Sequence, residues 1–267
     1  MNPLQSSVLP PHTGLHERLR VATYNIHKGV RGVGLRKRLE IHNLGLGIEA
    51  LDADLVCLQE VRLHHSRDAR QFDRTSFGWP AEGQAEFLAP EGYDAAYRTN
   101  AVTRHGEHGN ALLSRWPIGD IVHHDVSDHR FEQRGLLHAP VQWHGRTVHV
   151  VVAHLGLMHA GRVRQIQRLA GFIDTEVPAG AALVVAGDFN DWGEKLDGPM
   201  AEIGLARALG EGPRATRRPT FPSRVPVFAL DRIYTRVLAC RSTFVPRGAT
   251  WARMSDHLPL VVELEWP

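Results

Sequence analysis

What most constrains the fold of this chain is a series of short apolar runs, each closed by a polar side chain suited to chemistry. They read Val21-Ala-Thr-Tyr-Asn25, Val56-Cys-Leu-Gln-Glu60, Val151-Val-Ala-His154, Val184-Val-Ala-Gly-Asp188-Phe-Asn190, Ala229-Leu-Asp231-Arg-Ile-Tyr234 and Ser255-Asp-His257-Leu-Pro259. Runs of this length, rich in Val, Leu, Ile and Ala and followed by turn formers, read as buried strands. The polar residue then stands where the strand leaves the core, so it escapes the cost of burial without a partner. Several strand ends delivering carboxylates, amides and imidazoles to one place predict an α/β enzyme with a metal-assisted site.

The pattern predicts strands over 19–26, 54–59, 111–114, 134–141, 147–154, 182–187, 229–235 and 259–264, and helices over 36–50, 80–89 and 160–176. In the last helix Arg162, Arg164 and Arg168 are expected outside, with Val163, Ile166, Leu169, Ala170 and Ile173 inside, at amphipathic spacing. Strands and helices alternate without a long linker, which predicts a single domain over 19–267 behind a disordered tail over 1–18. With 31 Lys and Arg against 29 Asp and Glu, the net charge of +2 does not mark a nucleic-acid binder. Two cysteines make no disulfide framework, and Cys57 lies inside an apolar strand. The first residues carry no signal-peptide pattern, and no apolar run approaches the roughly 18–20 residues of a membrane span, so a cytoplasmic location is expected. No feature of the sequence sets an oligomeric state.

The strand-end residues divide by chemistry. Asp188 can orient an attacking water, and the Asn190 amide can donate to a phosphate oxygen as charge builds there; the alternative is an Asx-type turn. Glu60 suits a hard cation such as magnesium, which takes one or two carboxylates plus waters and phosphate oxygens. Asn25 could add a neutral oxygen or amide beside it. Adjacent Asp256 and His257 point to opposite sides and can serve metal and phosphate separately. Asp231 is the candidate to fix the His257 tautomer, and His154 is a second imidazole for the same cleft. The His105-Gly-Glu-His108 spacing raises zinc as an alternative, but the candidate set is otherwise oxygen-rich. Neither a Gly-Lys-Ser/Thr phosphate loop nor a Gly-x-Ser-x-Gly elbow is present.

Taken together and in order, these motifs resemble the endonuclease/exonuclease/phosphatase superfamily, the deoxyribonuclease-I-like group that includes the neutral sphingomyelinases and inositol-polyphosphate 5-phosphatases. The match also uses Gly109-Asn110-Ala-Leu-Leu-Ser-Arg-Trp-Pro117 and runs from about Arg20 to Glu265. Within the superfamily the chain is similar to an uncharacterised bacterial group with Tyr-Asn-Ile-His-Lys-Gly, Gly-Asp-Phe-Asn-Asp-Trp and Thr-Phe-Pro-Ser. The resemblance implies a four-layer α/β/β/α sandwich of two mixed, mainly antiparallel sheets flanked by helices. It implies a magnesium site, with manganese as a substitute, held by Glu60 with Asn25 and Asp256. Asp188 would activate the water, Asn190 hold the phosphate, and His257, steadied by Asp231, stabilise phosphoryl charge. His154 would face the leaving group. His27 and Asn110 in the matched motifs, with Arg31 and Arg224 in basic loops, are the substrate-binding candidates.

The resemblance implies a phosphodiester substrate, with a nuclease or a phospholipid or small-molecule phosphoesterase as the branches, and a non-catalytic binding module as the remaining alternative. Ala-His154-Leu stands where repair endonucleases of the superfamily carry Tyr-x-Pro-Asn, which argues against abasic-site repair. Basic loops at Lys28 and Arg31–Arg38, and at Arg214, Arg217, Arg218 and Arg224, suggest capture of an anion. A lipid enzyme would need an apolar membrane-facing loop, for which Trp192, Phe221 and Trp251 are scattered candidates.

Overall fold

Alternate valines in two adjacent strands face two different apolar layers, and this sets the architecture. In β9 (Arg146–His154), Val148, Val150 and Val152 enter one core cluster, while Val151 and Ala153 enter another. The neighbouring β10 (Ala182–Asp188) repeats this with Ala182, Val184 and Ala186 against Leu183 and Val185. A strand buried on both faces has to be apolar almost throughout, as these are.

The computed structural model describes residues 18–32, 34–211 and 217–267, with the side chain of residue 35 left out. The first sheet runs in the order β13 (Ala239–Phe244), β14 (Leu260–Glu265), β1 (Arg18–Asn25), β4 (Leu55–Val61), β6 (Gly106–Ser114) and β5 (Asp94–Thr103). The second runs β11 (Ala206–Arg207), β12 (Asp231–Arg236), β10, β9, β8 (Gly135–Trp143) and β7 (Val122–Asp125). A two-stranded ribbon joins β2 (Val30–Arg31) to β3 (Arg38–Leu39). The large sheets share one apolar core, with β1 against β10 and β6 against β8.

Helices cover the outer faces. On the first sheet α1 (Ile41–Leu51) buries Ile41, Leu44, Ile48 and Leu51, beside α4 (Gln84–Leu88) and α7 (Trp251–Met254). On the second, α5 (His159–Glu176) buries Ile166, Leu169, Phe172 and Ile173, beside α6 (Asp197–Glu202). Short α2 (Ser66–Gln71) and α3 (Arg74–Phe77) lie between β4 and β5. The result is the four-layer α/β/β/α sandwich, with mixed sheets that are mainly antiparallel.

All eight strands read from the sequence are interior strands of the two sheets. The four edges, β5, β7, β11 and β13, are polar or half-exposed and lack the continuous apolar signature. The helix expected from residue 36 begins at Ile41, because Arg38 and Leu39 pair with β2 instead. Arg162 is not outside: it is buried, and its Nη1 donates to Gly156 O at 3.2 Å. The tail expected over 1–18 lies outside the described residues except for Arg18, which opens β1 opposite Glu265.

Candidate active site

Strand direction brings the polar ends together. β1 and β4 are parallel, so Asn25 and Glu60 leave the same end of the first sheet. β9 and β10 are parallel and pair His154 with Asp188 across the ladder. The antiparallel neighbours contribute their beginnings: Asp231 of β12 pairs with Asp188, and the Ser255–Pro259 turn leads into β14 beside Thr23. Sheet packing then sets the two groups face to face.

Local backbone aims the side chains. A register shift between Leu58 and Val61 places Glu60 at φ 58°, a bulge that re-aims its carboxylate. Four of the eight described non-glycine residues with positive φ are His27, Lys28, Glu60 and Asn190, all at this end of the molecule. At Gly187 a Cβ would collide with the Ala153 carbonyl, so only glycine lets β10 close on β9 one residue before Asp188.

Asp188 is the hub. Its Oδ2 accepts from Asn25 Nδ2 at 3.1 Å and lies 3.7 Å from both His154 Nε2 and His257 Nε2. Its Oδ1 accepts the Asn190 backbone N–H at 2.9 Å, while Asn190 Nδ2 donates to Leu155 O at 3.0 Å. Asn25 Nδ2 also reaches Glu60 Oε1 at 3.4 Å. Behind His257, its Nδ1 meets Asp231 Oδ2 at 2.8 Å, and Thr220 Oγ1 donates to that same oxygen at 2.5 Å. At the rim His27 Nδ1 is 3.3 Å from Asp256 Oδ2. The network therefore joins Asn25, Glu60, His154, Asp188, Asn190, Asp231 and His257, with His27 and Asp256 at its edge.

The two imidazoles are driven apart electrostatically. Burial works against a charge on His257, but Asp231 and Asp188 outweigh it and the group is pushed up to about 10. Burial, seconded by Arg134, pushes His154 down to about 4 against the pull of Asp188 and Glu60. Burial would raise Glu60 as well, yet Lys28, His154 and His27 hold its carboxyl well below the usual range.

The donor set fits a magnesium-type ion. Glu60 Oε2 is buried and faces the ammonium of Lys28 at 2.8 Å, so this oxygen already holds a cation. The side chains beside it are oxygen donors, the Asn25 amide and the Asp256 carboxylate, which suits an ion that keeps waters and takes one or two carboxylates better than it suits zinc. In the His105–His108 segment, Glu107 accepts from Thr99 Oγ1 at 2.7 Å.

Two substrate-binding candidates take other positions. Asn110 is fully buried, and its Nδ2 donates to Gly135 O at 2.9 Å and Val152 O at 3.1 Å. Both acceptors belong to the opposite sheet, so Asn110 clamps the sheets together and is closed to substrate. Arg31 donates through Nη1 to the Ala252 carbonyl and to Ser255 O at 3.0 Å, propping the turn that carries Asp256 and His257. Arg224 is exposed at the surface, whereas Lys37 and Arg38 are spent on Asp68 and Glu40. Arg214 lies outside the described residues.

Sequence reasoning missed several neighbours. Thr220 backs Asp231 and Arg134 donates to Leu155 O at 3.1 Å, while Phe221, named above only as a candidate for an apolar loop, lies with its ring centre 4.9 Å from that of His257. Fully buried Arg232 pairs with Asp191 at 2.8 Å and anchors the loop after Asn190. An arginine inside an apolar strand, as in Leu230-Asp231-Arg232-Ile233, was the one available signal, since a buried guanidinium demands a partner.

The fold and this constellation define a phosphoesterase-type α/β sandwich, and the chain belongs to the endonuclease/exonuclease/phosphatase family, whose model matches residues 22–257. Members of that family are hydrolases of phosphoester bonds and commonly use divalent metals. The chain is 38% identical over 251 residues to the uncharacterised protein YbhP of Escherichia coli (strain K12), covering 92% of this chain and 95% of that one. Its fold is also that of the human nocturnin catalytic domain, solved with bound sulfate, at TM-score 0.70 and 22% identity over 94% of both chains. Bacteroides thetaiotaomicron mannosyl-6-phosphatase Bt3783 aligns at TM-score 0.67 and 16% identity, over 93% of this chain and 100% of that one.

Proposed function

We propose that this protein is a divalent-metal-dependent phosphoesterase that hydrolyses a phosphodiester by in-line attack of an activated water. One observation carries the reading: Asp188 Oδ2 sits 3.7 Å from each of two imidazoles and 3.1 Å from an amide that also reaches Glu60. A carboxylate so placed can hold a water while the surrounding donors bind the phosphoryl oxygens.

Asp188 orients the water and draws its proton. Asn190 keeps one amide hydrogen on Leu155 O and turns the other to a phosphoryl oxygen. His257, held in one orientation by Asp231, presents Nε2 to the charge that grows as the bond to the leaving group breaks. His154 stands across Asp188 from His257 and faces the departing oxygen. Magnesium, or manganese in its place, held by Glu60 with Asn25 and Asp256, would supply neutralisation of phosphate charge.

The test is hydrolysis of bis-p-nitrophenyl phosphate by the purified protein with magnesium and with chelator. Nitrophenolate release should need the metal, and Asp188→Asn should lower kcat by at least about a hundredfold, the scale of one lost preorganised group. Activity that survives both chelation and Asp188→Asn would overturn the reading.

A further inference from the structure

We infer that the lip of the cleft beside His257 docks on an anionic phospholipid surface, and that the phosphodiester cleaved is a phospholipid head group presented there. This rests on the phosphoesterase reading and adds the substrate class.

The aromatic side chains that look scattered along the chain are one assembly. From His257 the Phe221 ring is 4.9 Å away, Trp192 is 5.5 Å from Phe221, and Phe228 is 4.9 Å from Trp192, measured between ring centres. The assembly runs from the buried imidazole out to solvent, where Trp192 and Phe228 are 42% and 39% exposed. On the same loop Val225 and Val227 stand 69% and 59% exposed. Trp251, by contrast, is buried against α1 and takes no part.

Large apolar side chains held in water beside a catalytic cleft mark a binding face. Trp192 meets Phe221 and Phe228 edge to face, at 88° and 71°, and the loop also exposes two aliphatic residues, Val225 and Val227. Exposed valines cannot stack on a nucleobase, but they can enter the boundary layer of a bilayer, where tryptophan is also favoured.

Charge beside the lip points the same way. A cavity of about 530 Å³ opens behind the loop, lined by Arg224, Arg247 and Arg253 together with Ser223, Pro226 and Leu258. No carboxylate lines it, and among the described residues none of these three arginines pairs with one. The cavity adjoins the reacting end directly: Ser223 N donates to Asp256 O at 2.7 Å, and Leu258 follows His257. Guanidinium groups left unpaired in a concavity suit phosphate oxygens. An apolar lip next to an arginine cavity is complementary to an amphiphile with an anionic head.

Vesicle flotation tests this with the full chain carrying Asp188→Asn, which prevents turnover during the assay. Vesicles of phosphatidylcholine with an equal part of phosphatidylglycerol should bind the protein, and phosphatidylcholine alone should bind it at least tenfold less. The pair Val225→Asp with Val227→Asp, and separately Arg224→Ala with Arg247→Ala, should each weaken binding by about tenfold or more, with unchanged melting temperatures, since these side chains are exposed. Trp192→Ala gives a second, milder readout of the lip. Wild-type protein with magnesium should release head groups from the mixed vesicles. Absence of flotation at low salt, binding indifferent to both pairs, or tighter binding of single-stranded DNA through the same side chains would overturn the inference. Hydrolysis of bis-p-nitrophenyl phosphate by the wild type judges the phosphoesterase reading separately.

Discussion

Lys28 Nζ lies 2.8 Å from Glu60 Oε2, so the carboxylate proposed to bind the metal is already neutralised by a cation of the protein's own. Both residues hold left-handed backbone angles, Lys28 at φ 64° and Glu60 at φ 58°, which direct their side chains toward each other. A divalent ion arriving at Glu60 has to displace this ammonium. Lys28→Ala should therefore tighten magnesium binding by about tenfold, the scale of one partly buried ion pair, as read by calorimetry. The metal-free variant should also melt earlier, because Glu60 is left buried without its counter-charge. Weaker magnesium binding in Lys28→Ala would show that the lysine positions Glu60 instead of competing for it.

The Asp231–His257 contact predicts strong non-additivity. Asp231 is fully buried, accepts from Thr220 as well, and fixes the ring that touches Asp188. Asp231→Asn should reproduce most of the turnover defect of His257→Ala, and the double variant should be little worse than the poorer single one. Multiplicative losses in that cycle would mean that the two residues act independently.

Arg232 should prove to be a stability residue with a catalytic consequence. It and Asp191 are both buried, and it also donates to Tyr234 Oη at 3.1 Å and to Asp191 O at 3.0 Å. Arg232→Leu leaves buried Asp191 with only the more distant Arg162, whose Nη2 is 3.7 Å from its Oδ1, and should cost about 3 kcal/mol, a fall in Tm of roughly 10 °C. Thermal unfolding checks this. Turnover should fall at temperatures where the variant is still folded, because Asn190 stands one residue before Asp191.

Acid sensitivity is expected from a site remote from the chemistry. His138 Nε2 meets His149 Nδ1 at 3.0 Å, and burial, with the charge of His149 second, pushes His138 down to about 4. The unfolded chain takes up this proton near the ordinary value of 6.5, where the folded protein still refuses it. Between these values the unfolded state binds more protons, so stability falls as pH drops below about 6.5 and this contribution stops changing near 4. His138→Leu should flatten the dependence of Tm on pH across that window. An unaltered slope would place the sensitivity elsewhere.

How much could be read without coordinates follows from how each feature is encoded. Interior strands such as β9 and β10 are buried on both faces, so apolar residues must be consecutive, and that signal is local. Edge strands such as β5, with Arg98, Thr99 and Asn100 in mid-strand, bury little and carry no such signal. The helix expected from residue 36 starts late because Arg38 and Leu39 pair with β2, a partner set by tertiary pairing.

The sequence by itself determined which residues stand at strand ends, because a polar group closing an apolar run has nowhere else to go. It thereby marked Asn25, Glu60, His154, Asp188, Asp231 and His257 as candidates. Only the tertiary structure decided which side chains touch. Asn110 looked open to substrate until the Gly135 and Val152 carbonyls of the opposite sheet claimed its amide. Arg162 looked solvated until the Gly156 and Leu157 carbonyls took its guanidinium. Trp192 and Phe228, 36 positions apart, became one lip only when β10 and β12 paired and brought their loops together. Burial at a strand end is written in a few consecutive residues, whereas a contact across sheets depends on register and packing that no short stretch of chain contains.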